Sequence, residues 1–174
     1  MPKQLKLIHL VIILCLSVFT FSTHSIASSK DGLLKIHFFD VGQGDSIFIE
    51  TPNGNQVLVD GGPDNSVLQK LGEAMPFYDK DIDMVVSTHS DADHVTGLIG
   101  VLERYEVENI VYSAIVRNSP LYNAWREAVE EEDTNIIDSV AGKVIDLGNG
   151  ANLTIIHPAE SLVGVVKEKV NNDS

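Results

Sequence analysis

The chain contains one cysteine, Cys15, and none from residue 28 onward. This excludes an intramolecular disulfide, and beyond the first 27 residues it excludes a thiolate metal site. Any ion held there must be held by imidazole and carboxylate. Positive charge is scarce as well: 12 Lys and Arg stand against 25 Asp and Glu, for a net charge of −13. Such a balance repels a phosphate backbone and excludes stable nucleic-acid binding by charge alone. There is no internal repeat and no low-complexity linker, so a chain of 174 residues reads as one domain behind a leader.

The leader occupies residues 1–27. Lys3 and Lys6 form a basic start, Leu7 to Phe21 is almost wholly apolar, and Ser25-Ile26-Ala27 offers small residues for cleavage. The apolar run is about 15 residues, short of the roughly 20 that span a bilayer, which favours a cleaved secretory signal over a membrane anchor. Cys15, His9 and His24 all fall within it. Its removal takes away two bases and no acid, leaving residues 28–174 more acidic still. The expected location is extracellular or in the cell envelope.

From Leu33 the pattern is that of strands. Leu34, Ile36 and Phe38 alternate with Lys35, His37 and Phe39, and Gly42 and Gly44 suit a tight bend in Asp40-Val41-Gly42-Gln43-Gly44-Asp45. Ser46–Glu50 and Gln56–Asp60 flank the turn Pro52-Asn53-Gly54-Asn55 as a hairpin opening an antiparallel sheet. His37 is expected to find a partner on the sheet surface and not a metal. After Asp60-Gly61-Gly62-Pro63, Asp64 or Ser66 can cap a helix that buries Val67, Leu68, Leu71, Ala74 and Met75. Asp81–Ser87 ends in the unbroken apolar run of a strand covered on both faces.

That strand leads into Ser87-Thr88-His89-Ser90-Asp91-Ala92-Asp93-His94-Val95-Thr96-Gly97. Two histidines and two aspartates within six residues, between a strand and a helix, make half of a site for zinc or a similar divalent ion. Alternate residues of an extended segment point the same way, so His89, Asp91 and Asp93 can converge while His94 turns in from the helix start near Asp93. The alternative is that Asp91 and Asp93 merely cap that helix. Val95, Leu98, Ile99 and Leu102 give the helix one apolar face. Gly97 and Gly100, each costing up to about 1 kcal/mol relative to alanine, imply a close approach there.

Strand and helix then alternate again. Glu108–Tyr112 reads as a strand, and Ser119-Pro120 starts a helix burying Leu121, Ala124, Trp125, Ala128 and Val129. Short strands follow at 135–137, 143–147 and 152–156, and His157-Pro158 reads as a structural turn and not a ligand.

Three segments, Phe39-Asp40-Val41-Gly42-Gln43-Gly44-Asp45-Ser46, Leu58-Val59-Asp60-Gly61-Gly62 and Ser87-Thr88-His89-Ser90-Asp91-Ala92-Asp93-His94-Val95-Thr96-Gly97, together resemble the metallo-β-lactamase superfamily. More narrowly they are similar to the extracytoplasmic hydrolase domain of bacterial DNA-uptake competence proteins of the ComEC type. The resemblance implies an α/β (α+β) fold, the N-terminal half of an αββα sandwich with a mixed sheet and flanking helices. It also implies two divalent ions per complete domain, zinc or manganese and magnesium. By position His89 and Asp91 would serve one ion, Asp93 and His94 the other, with Asp60 supporting them from outside the ligand set. The family motif has histidine where this chain has Asp91. The added charge and harder ligand tilt that site toward manganese or magnesium and should lower its power to acidify water.

The function so implied is phosphodiester (DNA) hydrolysis by a metal-activated water, with no side-chain nucleophile. Nothing after Asp93-His94 supplies the family's later histidines and bridging aspartate. The domain of residues 28–174 is therefore expected to stop before its second half, with an incomplete site and no strands left for a second sheet. Two alternatives stand beside this: an inert half-domain that binds or complements a partner, possibly the missing half itself, and a metallo-hydrolase of another substrate class, lactam or thioester.

Overall fold

A computed structural model describes residues 32–166; the leader of residues 1–27 lies outside them. Six strands form one sheet in sequence order: β1 (Lys35–Phe38), β2 (Ile47–Glu50), β3 (Gln56–Val59), β4 (Asp81–Ser87), β5 (Glu106–Tyr112) and β6 (Asn135–Asp138). The β1–β2 and β2–β3 pairs are antiparallel, joined by tight turns, and the β3–β4, β4–β5 and β5–β6 pairs are parallel. Parallel neighbours need crossovers, and helices α1 (Ser66–Ala74), α2 (Ala92–Leu102) and α3 (Pro120–Glu131) supply them. All three pack into one apolar cluster on the same sheet face. Val67 and Leu71 come from α1, Val95, Leu98 and Val101 from α2, and Trp125 and Val129 from α3, against Phe48, Leu58, Val85 and Ile110 of the strands. Each large side chain fully buried there contributes about 1.5–3 kcal/mol.

The opposite face is covered in part by a hairpin, β7 (Val144–Asp146) and β8 (Asn152–Thr154). Leu147 and Ile155 beside it complete a second cluster with Val57, Met84 and Val111. This corrects one expectation: a second sheet does begin within the chain, as a two-stranded hairpin. The first of the three short late strands does not join it, because β6 pairs with β5 at Ile110–Ile136 and Val111–Ile137 and extends the large sheet. Strand periodicity is the same for both, and only the partner distinguishes them.

Most local details follow the sequence, although in α3 Ala124, expected to be buried, is exposed and Tyr122 is buried in its stead; two further exceptions concern helix starts. Ser119 caps α3 by accepting a hydrogen bond from the Tyr122 N–H at 3.1 Å, with Pro120 in the first turn. The cap of α1 is Asn65, one residue from either candidate. Asp64 instead accepts from the Ser66 N–H and hydroxyl, which holds its carboxyl below the ordinary range. The second exception is α2, which begins at Ala92. Asp93 is thus already helical, not the last residue of an extended segment. Among the described residues no helix is long and apolar enough to cross a membrane.

Candidate metal centre

In parallel sheets the loops at the carboxyl ends of the strands gather at one edge, where a following helix presents its N-terminus. Here that edge collects the loop after β1 (39–46), Asp60 after β3, Thr88 to Asp91 after β4, and the first turn of α2. Backbone bonds fasten them together. The Gly61 N–H donates to the His94 carbonyl at 2.8 Å, the Gly97 N–H to the Gly62 carbonyl at 3.1 Å, and the Gly62 N–H to the Asp45 carbonyl at 3.1 Å. The close approach expected of Gly97 is present: a Cβ there would lie 1.9 Å from the Gly61 oxygen, and one on Gly44 (φ +76°) would lie 1.8 Å from the Asp93 oxygen.

Asp60 is the fixed point. It is 2 % exposed and holds a left-handed backbone (φ 56°), a conformation that aspartate tolerates better than most residues. Its Oδ1 accepts the Thr88 N–H at 2.9 Å, and its Oδ2 accepts the Thr88 hydroxyl at 2.5 Å and meets His94 Nδ1 at 2.9 Å. Thr88 Oγ1 is also 2.9 Å from His89 Nδ1.

These contacts assign the tautomers. The carboxylate can only accept, so His94 carries its proton on Nδ1. The single hydroxyl proton of Thr88 is given to Asp60, so Thr88 accepts from His89, which is also protonated on Nδ1. In the neutral form of each ring the lone pair is then on Nε2. The rings lie 3.9 Å apart, centroid to centroid. One donor atom each from Asp60, His89 and His94 falls within 4.8 Å of the other two.

The two other candidate ligands flank this group. Asp91 Oδ2 is 3.5 Å from His89 Nε2, and Asp93 Oδ1 is 3.9 Å from His94 Nε2. Asp91 stands at the N-cap of α2 but makes no side-chain bond to the helix N–H groups, which removes the capping alternative for it. Its Oδ1 instead accepts from Arg117 Nη1 at 2.6 Å. Asp93 Oδ2 accepts from the Gln43 amide at 3.1 Å. That bond, helped by the residue's own N–H and by His94 and His89, holds the Asp93 carboxyl below the ordinary carboxylate range. Two imidazoles with carboxylates beside their Nε2 atoms, anchored by a buried acid, form a donor set that fits a divalent ion.

Among the described residues two further histidines, His37 and His157, are not part of this group. His37 meets Glu50 at 3.1 Å on the sheet surface, as expected. His157 precedes a cis peptide to Pro158 and lines a cleft of about 480 Å³ that runs from Thr88 and His89 past Arg117. Thr88, Gln43 and Arg117 are absent from the sequence-based site. Thr88 and Gln43 lie inside the recognised segments, where their polarity was the available signal. Arg117 follows β5 with no motif around it.

The family model described as the metallo-beta-lactamase superfamily matches residues 39–168. ComE operon protein 3 of Bacillus subtilis (strain 168) is 26% identical over 152 residues, covering 78% of this chain and 19% of that protein. The chain therefore spans about a fifth of this relative's length. A solved fragment of a putative diflavin flavoprotein from Nostoc sp. PCC 7120 matches 64% of the chain and 42% of its own length at 21% identity and TM-score 0.47. Metallo-beta-lactamase SMB-1, solved with 2-mercaptoethanesulfonate, matches 64% of the chain and 46% of its own at 18% identity and TM-score 0.45.

Proposed function

Since the chain belongs to the metallo-beta-lactamase superfamily, we propose that it forms the metal-binding part of a divalent-metal-dependent hydrolase of the cell exterior or envelope, acting on phosphodiesters such as DNA. The observation that carries this reading is the hydrogen-bonded line from His89 through Thr88 and Asp60 to His94, which fixes both rings through Nδ1 and frees both Nε2 atoms. His89 with Asp91 would hold one ion and His94 with Asp93 a second, while Asp60 orients His94 from behind. The bound ions would polarise a phosphoryl oxygen and make water nucleophilic at neutral pH. The chain's own side chains do the positioning: Asp60 and Thr88 set the tautomers, and the Gln43 amide holds one oxygen of Asp93.

Carboxylates at two of the four positions favour manganese or magnesium more than a histidine-rich site would. Further ligands for two complete ion spheres would come from outside the described residues. DNA is chosen as substrate on the likeness of the three segments to DNA-uptake competence proteins, and an exported location on the leader of residues 1–27.

Calorimetry of the purified chain with Mn²⁺ and Zn²⁺ tests the site. We expect binding that His94→Ala weakens at least about 100-fold; unchanged affinity would overturn it. A panel of DNA, a lactam and a thioester tests the substrate. Hydrolysis of either of the last two without cleavage of DNA would overturn the phosphodiester assignment.

One observation favours a binding role beside this. Ile36 and Phe38, opposite Ile49 and Ile47 on the sheet face away from the helices, are 50 % and 77 % exposed. If this face receives a separately expressed second half of the fold, Phe38→Ser should abolish the association and His94→Ala should spare it.

A further inference from the structure

We propose that Arg117 is a positioning residue for the metal site, holding Asp91 as a charge-balanced substitute for the histidine that the family motif places there. The inference rests on the metal-binding reading above.

Asp91 has two carboxylate oxygens with different surroundings. Oδ1 accepts from Arg117 Nη1 at 2.6 Å, and Oδ2 is 3.5 Å from His89 Nε2. The guanidinium thus takes one oxygen and leaves the other on the side of the imidazole lone pair. This is the same relation that Asp60 has to His94, where one group grips the far atom of a ligand and presents the near one. Asp91 has no competing tie to the helix it precedes, since its side chain makes no cap bond. Arg117 has no competing tie either: its ion pair among the described residues is with Asp91, and its Nε is buried without a hydrogen-bond partner.

The charge follows from the same contact. An imidazole ligand is neutral and Asp91 alone is an anion, but Asp91 paired with Arg117 is neutral overall. The expected weakening of the ion's acidifying power by Asp91 is therefore offset by Arg117.

The test measures Mn²⁺ affinity of the full chain by calorimetry, alongside thermal unfolding of the metal-free protein. Arg117→Gln should weaken binding about 10- to 100-fold, the range typical for loss of a group that orients a ligand. Its metal-free unfolding midpoint should stay close to wild type, because the pair is half exposed. Arg117→Lys, which keeps the charge but not the fork, should recover part of the loss. In an Asp91→Asn background Arg117→Gln should have little further effect. Wild-type affinity in Arg117→Gln would overturn the proposal. So would tighter binding, which would make Arg117 a competitor for Asp91. Failure of the wild-type chain to bind Mn²⁺ or Zn²⁺ at all would instead overturn the metal reading itself, and the proposal with it.

Discussion

Thr88 shows how much a single hydroxyl can decide. It gives its proton to a buried carboxylate and takes one from an imidazole, so it sets the tautomer of His89 and helps to hold Asp60 at once. Replacement by valine keeps the shape and removes both bonds. Thr88→Val is expected to cost about 1–3 kcal/mol of stability, measured by urea unfolding, because Asp60 loses a partner where water cannot replace it. It should also weaken divalent-ion binding about 10-fold, since His89 would no longer be fixed on Nδ1. A variant that lost stability but bound the ion normally would show that Thr88 supports Asp60 alone. His89, Asp91, Asp93 and His94 were legible in the sequence because they are close together and of ligand type. Thr88 was legible only as a neighbour, and Arg117 not at all, because its contact with Asp91 spans 26 residues.

Among the elements, α2 meets the loop after β3 at close quarters. The Gly97 N–H and the Gly61 N–H cross-link the two backbones, and there is no room for a methyl group at the crossing. Gly97→Ala would gain helix propensity in an isolated helix, by up to about 1 kcal/mol. Here it should instead destabilise by at least about 2 kcal/mol, because the new Cβ meets the backbone oxygen of Gly61 and α2 must move off the sheet. Urea unfolding measures the change, and a more stable Gly97→Ala protein would refute the packing account. The sequence carried a hint of this in a glycine inside a helical pattern. It carried no comparable hint for the late strands, where alternation marked three strands and gave no means of telling that β6 would join β5 while β7 and β8 pair apart.

For the whole molecule the governing quantity is the charge of −13. The site edge lies on an acidic chain, so a polyanionic substrate gains little from general attraction and must be held locally. In fluorescence anisotropy at low salt the metal-free chain should not retain single- or double-stranded DNA, and added Mn²⁺ should allow weak binding that His94→Ala removes. Retention without metal would contradict the charge argument.

The order of elements and the clustering of His89, Asp91, Asp93 and His94 were present in the sequence, because each depends on residues within one turn or one strand of each other. Hydrophobic period and ligand spacing are local properties. The hydrogen-bonded line through Thr88 to Asp60, the pairing of Arg117 with Asp91 and the sharing of the late strands between two sheets were settled by the fold. Each joins residues from separate strand ends, and their distance apart is fixed by how the sheet, its helices and its loops pack, which no local pattern records.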